Sequence, residues 1–356
     1  MQTVVALEEL FSAEGRLNPY PFYEQLHQKG QACALDPEVD RYSAVVHGCE
    51  AIERVMRDPT FRVLDDAYLD QRVGDNGALW RKRPSLETLQ KTVFFLNPPA
   101  HTRLRPPLAA AFTARRVAGL ESAIVRDVNR RLDRLAELGA GDAAVQELKA
   151  YFADLVAKRR SEPRDDLISS LLAAQASEKA HFSDEELVAN LIGLYNAGFL
   201  TSVHTIGNGL VLLCERPERR AELCEHPELA PGYVEEILRY KTPVQFSVRW
   251  ATEDSEIMGV EVPAGGEVLV LLSAANWDPR RYPEPELFDP HRPDNHTMSF
   301  SVGPHYCLGA ALSRLEFQIA LPMLLRRFPK LALAGPPRTL DLLTFHGYKE
   351  IPITIE

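Results

Sequence analysis

The chain has 356 residues, 45% hydrophobic and 25% charged, with 20 Gly and 26 Pro, fractions that exclude disordered, collagenous and low-complexity architectures. A net charge of −10 without a basic block argues against nucleic acid as a partner, and a mean hydropathy of −0.20 argues against a membrane-embedded chain. No apolar run is read here as approaching the roughly 20 residues of a membrane span. Folding at this length hides roughly three quarters of the unfolded surface, enough to enclose a large apolar ligand. The opening MQTVVALEELFSAEGRL carries acids where a secretory leader is basic. The five cysteines (Cys33, Cys49, Cys214, Cys224 and Cys307) have neither disulfide-framework nor CxxC spacing. A cytoplasmic location is expected.

No internal repeat or Gly/Ser linker divides the sequence, which is read as a single domain over residues 1–356. Asn18–Gly30 predicts a turn entering a helix, and Tyr42–His47 a strand. Leu120, Ile124, Val128, Leu132 and Leu135 form one helical stripe, broken at Gly139-Ala140-Gly141. Leu167, Ile168, Leu171 and Leu172 mark another helix. Ser183-Asp184-Glu185-Glu186 is a capping box opening a long apolar helix that runs through Leu213. Gly193, Gly198, Gly207 and Gly209 interrupt it. Each costs about 1 kcal/mol against alanine, so close neighbours are expected. Val260–Val262 and Glu267–Leu272 flank Pro263–Gly266 and read as a strand pair. The Pro-rich stretch 276–295 predicts an ordered meander, followed by a helix over Leu308–Phe328. The fold class expected is mainly α with small β-sheets.

Phe300-Ser-Val-Gly303-Pro-His305-Tyr-Cys307-Leu-Gly309 places Cys307 just before a helical first turn. Unpaired amides and the helix dipole there lower a thiol's pKa, and a thiolate is a strong iron ligand. Gly303 permits an unusual backbone angle, Gly309 admits a flat ligand, and Phe300 can shield the sulfur. An inert buried cysteine is the bland alternative, and a zinc site from His305 and Cys307 lacks two further ligands. Glu236 and Arg239 lie three apart on one helix face, which in isolation reads as a surface pair.

The loop resembles the haem-binding loop of the cytochrome P450 family at every defined position, and Leu312 and Arg314 downstream also fit. The similarity extends from Asn18-Pro-Tyr-Pro21 to Ile351–Ile355. It implies the P450 fold, haem b as cofactor and Cys307 as the iron ligand. It further implies a structural network of Glu236, Arg239 and Arg292 that braces the cysteine loop. His101 and Arg105, after Asn97-Pro-Pro99, match propionate-binding positions, as do Arg249 and His305. A dianionic macrocycle in a low-dielectric pocket needs such cations.

Three departures stand out. In Ala197-Gly198-Phe199-Leu200-Thr201-Ser202 the family's Gly and Thr are kept as Gly198 and Thr201, but Leu200 replaces the acid that helps deliver protons. His204, on the same helical side, is a candidate substitute or simply a packed side chain. Several dozen residues that relatives carry are missing between Ala118 and Arg160, which implies a fold truncated in the lid region and a distal pocket that is more open or closed by a partner subunit; a damaged fold is the alternative, against which the apolar periodicity on both sides argues. Pro106-Pro107 interrupts a helix usual in the family, which bears on the aim of His101 and Arg105.

The implied function is a haem-thiolate monooxygenase acting on an apolar or carrier-tethered natural-product intermediate. Electrons would come from a separate ferredoxin, since no flavin or nicotinamide fingerprint is present. Arg103, Arg115 and Arg116 are candidates for its docking face, with a solvated basic surface as the equal alternative. Substrate contacts are expected from Leu79–Phe95, Tyr195, Phe199, Val244, Phe246 and Phe345. Two alternatives stay open: a peroxide-driven or non-oxygenating haem-thiolate enzyme, motivated by Leu200, and a P450-like binding protein without turnover, motivated by the shortened lid.

Overall fold

Short runs of Ala, Val and Leu in the first 62 residues and beyond residue 246 become the strands of a six-stranded sheet. The computed structural model describes residues 4–36, 38–73, 80–112, 142–176 and 182–355. The helical stripe at Leu120–Leu135, its glycine break, and Arg115 and Arg116 lie outside the described residues. The chain divides into two units, Met1–Arg62 with Leu200–Glu356, and Val63–Phe199.

In the first unit the sheet order is β1 (Val4–Val5), β2 (Ala32–Leu35), β3 (Ala44–Val46), β8 (Glu267–Val270), β5 (Ser247–Ala251), β4 (Phe61–Arg62). β1/β2 and β3/β8 pair in parallel and the other neighbours antiparallel. Alternation sorts the side chains. Ala44, Val46, Val268 and Val270 enter one apolar cluster with Val55, while Cys33, Val45 and Leu269 enter another with Tyr23 and Trp277. Each fully buried Val or Leu contributes about 1.5–3 kcal/mol, so the sheet is held from both faces.

The strand pair expected across Pro263–Gly266 does not form. β7 (Val260–Val262) pairs instead with β6 (Ser255–Ile257). The turn between them has positive φ at both centres, +49° at Met258 and +82° at Gly259, the geometry that matches a hairpin's twist. Residues 276–297 form the ordered meander of turns that the prolines predict.

A third cluster joins helices Ala230–Tyr240 and Ala310–Arg327 to the end of the long helix through Tyr233, Ile237, Phe317, Leu321, Leu212 and Leu213. Gly209 makes the convergence possible. A methyl there would stand 3.1 Å from Ile237 and 3.4 Å from Leu321. Arg239 and Glu236 are fully buried and joined by two hydrogen bonds of 2.7 and 2.8 Å. Arg239 also donates to the carbonyls of Asn276, Pro285 and Leu287, and Arg292 lies 3.4 Å from Glu236 while donating to Pro283, Glu284 and Leu287. The expected bracing network is therefore present, and it clamps the meander to the helix.

In the second unit the capping box forms as expected. Ser183 N donates to Glu186 at 2.8 Å and Glu186 N to Ser183 Oγ at 3.1 Å. The long helix spans Asp184–Cys214. Its uncharged stretch from Leu187 is longer than the sequence reading allowed, and by length and composition alone the helix is apolar enough to cross a membrane. Burial accounts for part of that character: Leu187, Ala189, Leu191, Ile192, Val211, Leu212 and Leu213 are buried, while 44% of the apolar window is buried in all. Asn190 accepts from Val93 N at 2.9 Å, and Gly193 lies against Thr92 and Phe94, pinning residues 91–94 to the helix.

Glu236→Gln keeps the shape of the buried pair and strands the Arg239 charge. Chemical unfolding should show a loss of about 3–5 kcal/mol; a loss under about 1 kcal/mol would show that the network does not hold the unit together.

Candidate active site

The cysteine loop is built on hydrogen bonds that no sequence pattern announced. Asn276 Oδ1 accepts from Met298 N at 2.7 Å and Thr297 Oγ1 at 3.0 Å, and its Nδ2 donates to Ser299 Oγ at 2.8 Å. Ser299 Oγ in turn donates to Leu238 O at 2.7 Å. The carbonyl of Asn276 receives Arg239, so one residue couples the buried ion pair to the loop. The chain then passes Ser301 at φ +60° and Gly303 at φ +75°. A methyl on Gly303 would lie 2.5 Å from the Met56 carbonyl oxygen, so only glycine fits.

Cys307 N donates to Phe300 O at 2.9 Å, closing the loop two residues before the Gly309 cap of helix Ala310–Arg327. The Cys307 residue is exposed; Cys33 is buried, and Cys49, Cys214 and Cys224 are half-buried. Burial raises the thiol pKa of those four, that of Cys49 to about 12, which keeps them protonated. Phe300 is buried beneath Arg314, whose guanidinium carbon is 4.5 Å from the ring centre and which binds Glu235 and the Tyr306 hydroxyl. A side chain added at Gly309 would meet nothing within 4 Å. His305 is half-buried in the short turn Gly303–His305.

Arg249 lies on β5 and is 4% exposed. It donates at 2.8 Å to Ser247 Oγ and to Val248 O, both neutral, and no carboxylate pairs with it among the described residues. Burial pushes its pKa down to about 10. A buried cation held only by neutral oxygens is expensive and fits an incoming anion. On the long helix, Thr205 Oγ1 donates to Thr201 O at 2.9 Å, and Leu200 stands where the relay acid is expected. His204 is buried against the C-terminal hairpin, next to Gly347 and Phe345, and burial lowers its pKa. Val244 bridges Phe345.

In the second unit His101 is buried in the first turn of helix Ala100–Ala110, with Arg105 one turn on and half-buried. Burial, then the Arg105 charge, lowers the His101 pKa and favours a neutral ring. Pro106 and Pro107 do not end the helix, which continues to Ala110 because Leu104 and Leu108 are both buried and anchor it on either side. Arg103 forms a two-pronged ion pair with Glu186, the capping-box acid. Gly198 is exposed, and a methyl there meets nothing within 4 Å.

Gly303→Ala combines a strained φ with a backbone clash. It should lower stability by about 1–3 kcal/mol in thermal unfolding; an unchanged midpoint would mean that the loop tolerates another path.

The family described as Cytochrome P450 matches residues 139–340, more than half of the chain. The biotin biosynthesis cytochrome P450 of Bacillus subtilis (strain 168) is 30% identical over 403 aligned positions, covering 97% of this chain and 98% of its own. That alignment outruns the 356 residues here, so dozens of its positions have no counterpart in this chain. Among solved structures, P450BioI in complex with a hexadec-9Z-enoic acid ligated acyl carrier protein superposes with a TM-score of 0.84 at 29% identity, covering 97% of this chain and 100% of that one. A myxobacterial P450, CYP267B1 in complex with myristic acid, gives 0.85 at 29% identity over 99% and 100%. The exposed Cys307, the open side of Gly309 and the uncompensated Arg249 fit the flat dianionic haem that this family carries. The chain belongs to the cytochrome P450 family and is an oxidoreductase of that type.

Proposed function

We propose that this P450 is a monooxygenase for a long, apolar intermediate of natural-product metabolism, presented free or tethered to a carrier protein. The observation that carries the reading is the pairing, in one unit, of an exposed Cys307 at a helix N-terminus with a buried Arg249 that has no carboxylate partner among the described residues. Cys307 Sγ would hold the iron. The amides at the start of helix Ala310–Arg327 favour its thiolate form. When bound, the haem supplies dioxygen activation and oxygen transfer to the substrate.

Around it the chain's own residues position and protonate. Arg249 and His305 would meet the propionates, Phe300 would cover the sulfur, and Gly309 would let the ring approach; in the second unit, His101 and Arg105 stand at positions that the resemblance gives to propionate binding. Gly198 would leave room beside the long helix, and Thr201 would orient a proton there. Val244, Phe246 and Phe345 offer apolar contact to the substrate. The fatty acyl ligands of the two structural neighbours support a chain-like substrate class, and the carrier protein bound to one of them supports tethering. As a P450 the chain takes electrons from a redox partner, here proposed to be a ferredoxin in the cytoplasm.

Leu200 favours a second reading, in which hydrogen peroxide drives the reaction or the haem catalyses a coupling or rearrangement. Leucine moves no proton, and activating dioxygen consumes them.

The reduced CO complex should show the red-shifted Soret band of thiolate-held haem, and Cys307→Ser should abolish it. A wild-type protein that takes up haem without that band would refute the reading. Turnover with NADPH and ferredoxin should exceed peroxide-driven turnover; the reverse order selects the second reading. Arg249→Leu should leave the haem-free protein at least as stable, because a stranded charge is removed, yet speed haem transfer to an acceptor globin about tenfold. Lower apoprotein stability with unchanged haem loss would make Arg249 purely structural.

A further inference from the structure

Several buried polar atoms in the first unit have no hydrogen-bond partner among the described residues, and three of them share one neighbourhood: His204 Nε2, Asn208 Oδ1 and His346 Nδ1. His204 and Asn208 are four apart on the long helix, hence on one side of it. Asn208 Nδ2 donates to Lys241 O at 2.9 Å and to His346 O at 3.3 Å, which ties helix and hairpin together at this point. The His204 ring lies so close to the hairpin that a methyl on Gly347 would stand 2.3 Å from its Nδ1. Lys241 Nζ donates to Tyr348 Oη at 2.9 Å on the same hairpin.

Buried imidazoles and amides with open valences are rare, and each calls for a partner such as ordered water. Burial lowers the pKa of both histidines, that of His346 to about 4, so at neutral pH each ring keeps one donor and one acceptor nitrogen. The charged and titratable groups acting on the site are Lys241, Tyr348, Glu215 and Arg216. Glu215 and Arg216 act on Lys241 from the end of the long helix, and Glu215 also acts on Tyr348. Burial makes the Lys241 proton easier to release. Thr201 lies one turn before His204 on the same side of the helix.

We propose that His204, Asn208 and His346 hold a short chain of ordered water that carries protons from the Lys241–Tyr348 pair to the helical turn bearing Thr201, in place of the carboxylate that Leu200 cannot supply. Each transfer moves one proton and no electrons. A neutral imidazole accepts at one nitrogen and releases from the other, and Lys241 is reprotonated from solvent. The proposal rests on the dioxygen-driven reading above, so its test separates the two.

The holoenzyme is compared with His204→Phe, His204→Gln and His346→Phe. The reduced CO band checks the haem-thiolate reading alone; its absence from the wild type overturns that reading and the relay with it. With the band present, a high-resolution crystal structure of the holoenzyme should show ordered water within hydrogen-bonding distance of the three atoms, displaced in His204→Phe. A dry contact there overturns the relay only. NADPH consumption under oxygen, with ferredoxin and its reductase, should fall at least about tenfold in His204→Phe and His346→Phe with a larger solvent deuterium isotope effect, and recover in part in His204→Gln. An unchanged rate and isotope effect overturn the relay.

Discussion

The Glu236–Arg239 pair is the constraint on which the cysteine loop depends. Two charges with no solvent contact are tolerated because every lobe is used: Glu236 receives Arg239, Arg292, Asp289 N and Asn295, while Arg239 reaches three carbonyls of the meander. Such a network adds little net stability over an apolar core, but it specifies geometry, since no other path of the meander satisfies it. Through Asn276 that geometry passes to Thr297, Met298 and Ser299, and so fixes where Cys307 is presented. The rigidity is local. It aims one sulfur.

Charge supplies the other half of the site. The first unit uses the same residue type in opposite ways: Arg239 is buried with its acid, and Arg249 is buried without one among the described residues. The folded chain carries the cost of the second arrangement, and a bound dianion would offset it. Under the proposed function, affinity for the cofactor would thus be built in as an unsatisfied electrostatic demand. The long helix shows a comparable economy. Its glycines at 193 and 209 serve close packing, whereas Gly198 faces open space.

Much of this was legible in the residues. The loop around Cys307 carries chemistry at fixed spacing, and the capping box at Ser183 has a purely local cause, so both survive folding unchanged. What was missed depends on partners far along the chain. Asn276 and Ser299 are ordinary polar residues until the meander brings them together. The β6–β7 hairpin was misplaced because Pro263–Gly266 gives a stronger turn signal than Met258-Gly259, although only the latter has positive φ at both centres. Arg103 looked like an open surface cation, since nothing local ties it to Glu186, 83 residues away. His204 could be placed on a helix side from its spacing, but its contact with Gly347 is a tertiary fact.

A haem-thiolate enzyme requires a bond between iron and Cys307. X-ray absorption at the iron edge of the haem-loaded protein should find one sulfur among the nearest neighbours of the metal and lose it in Cys307→Ser. A first shell of nitrogen and oxygen alone in the wild-type protein would contradict it.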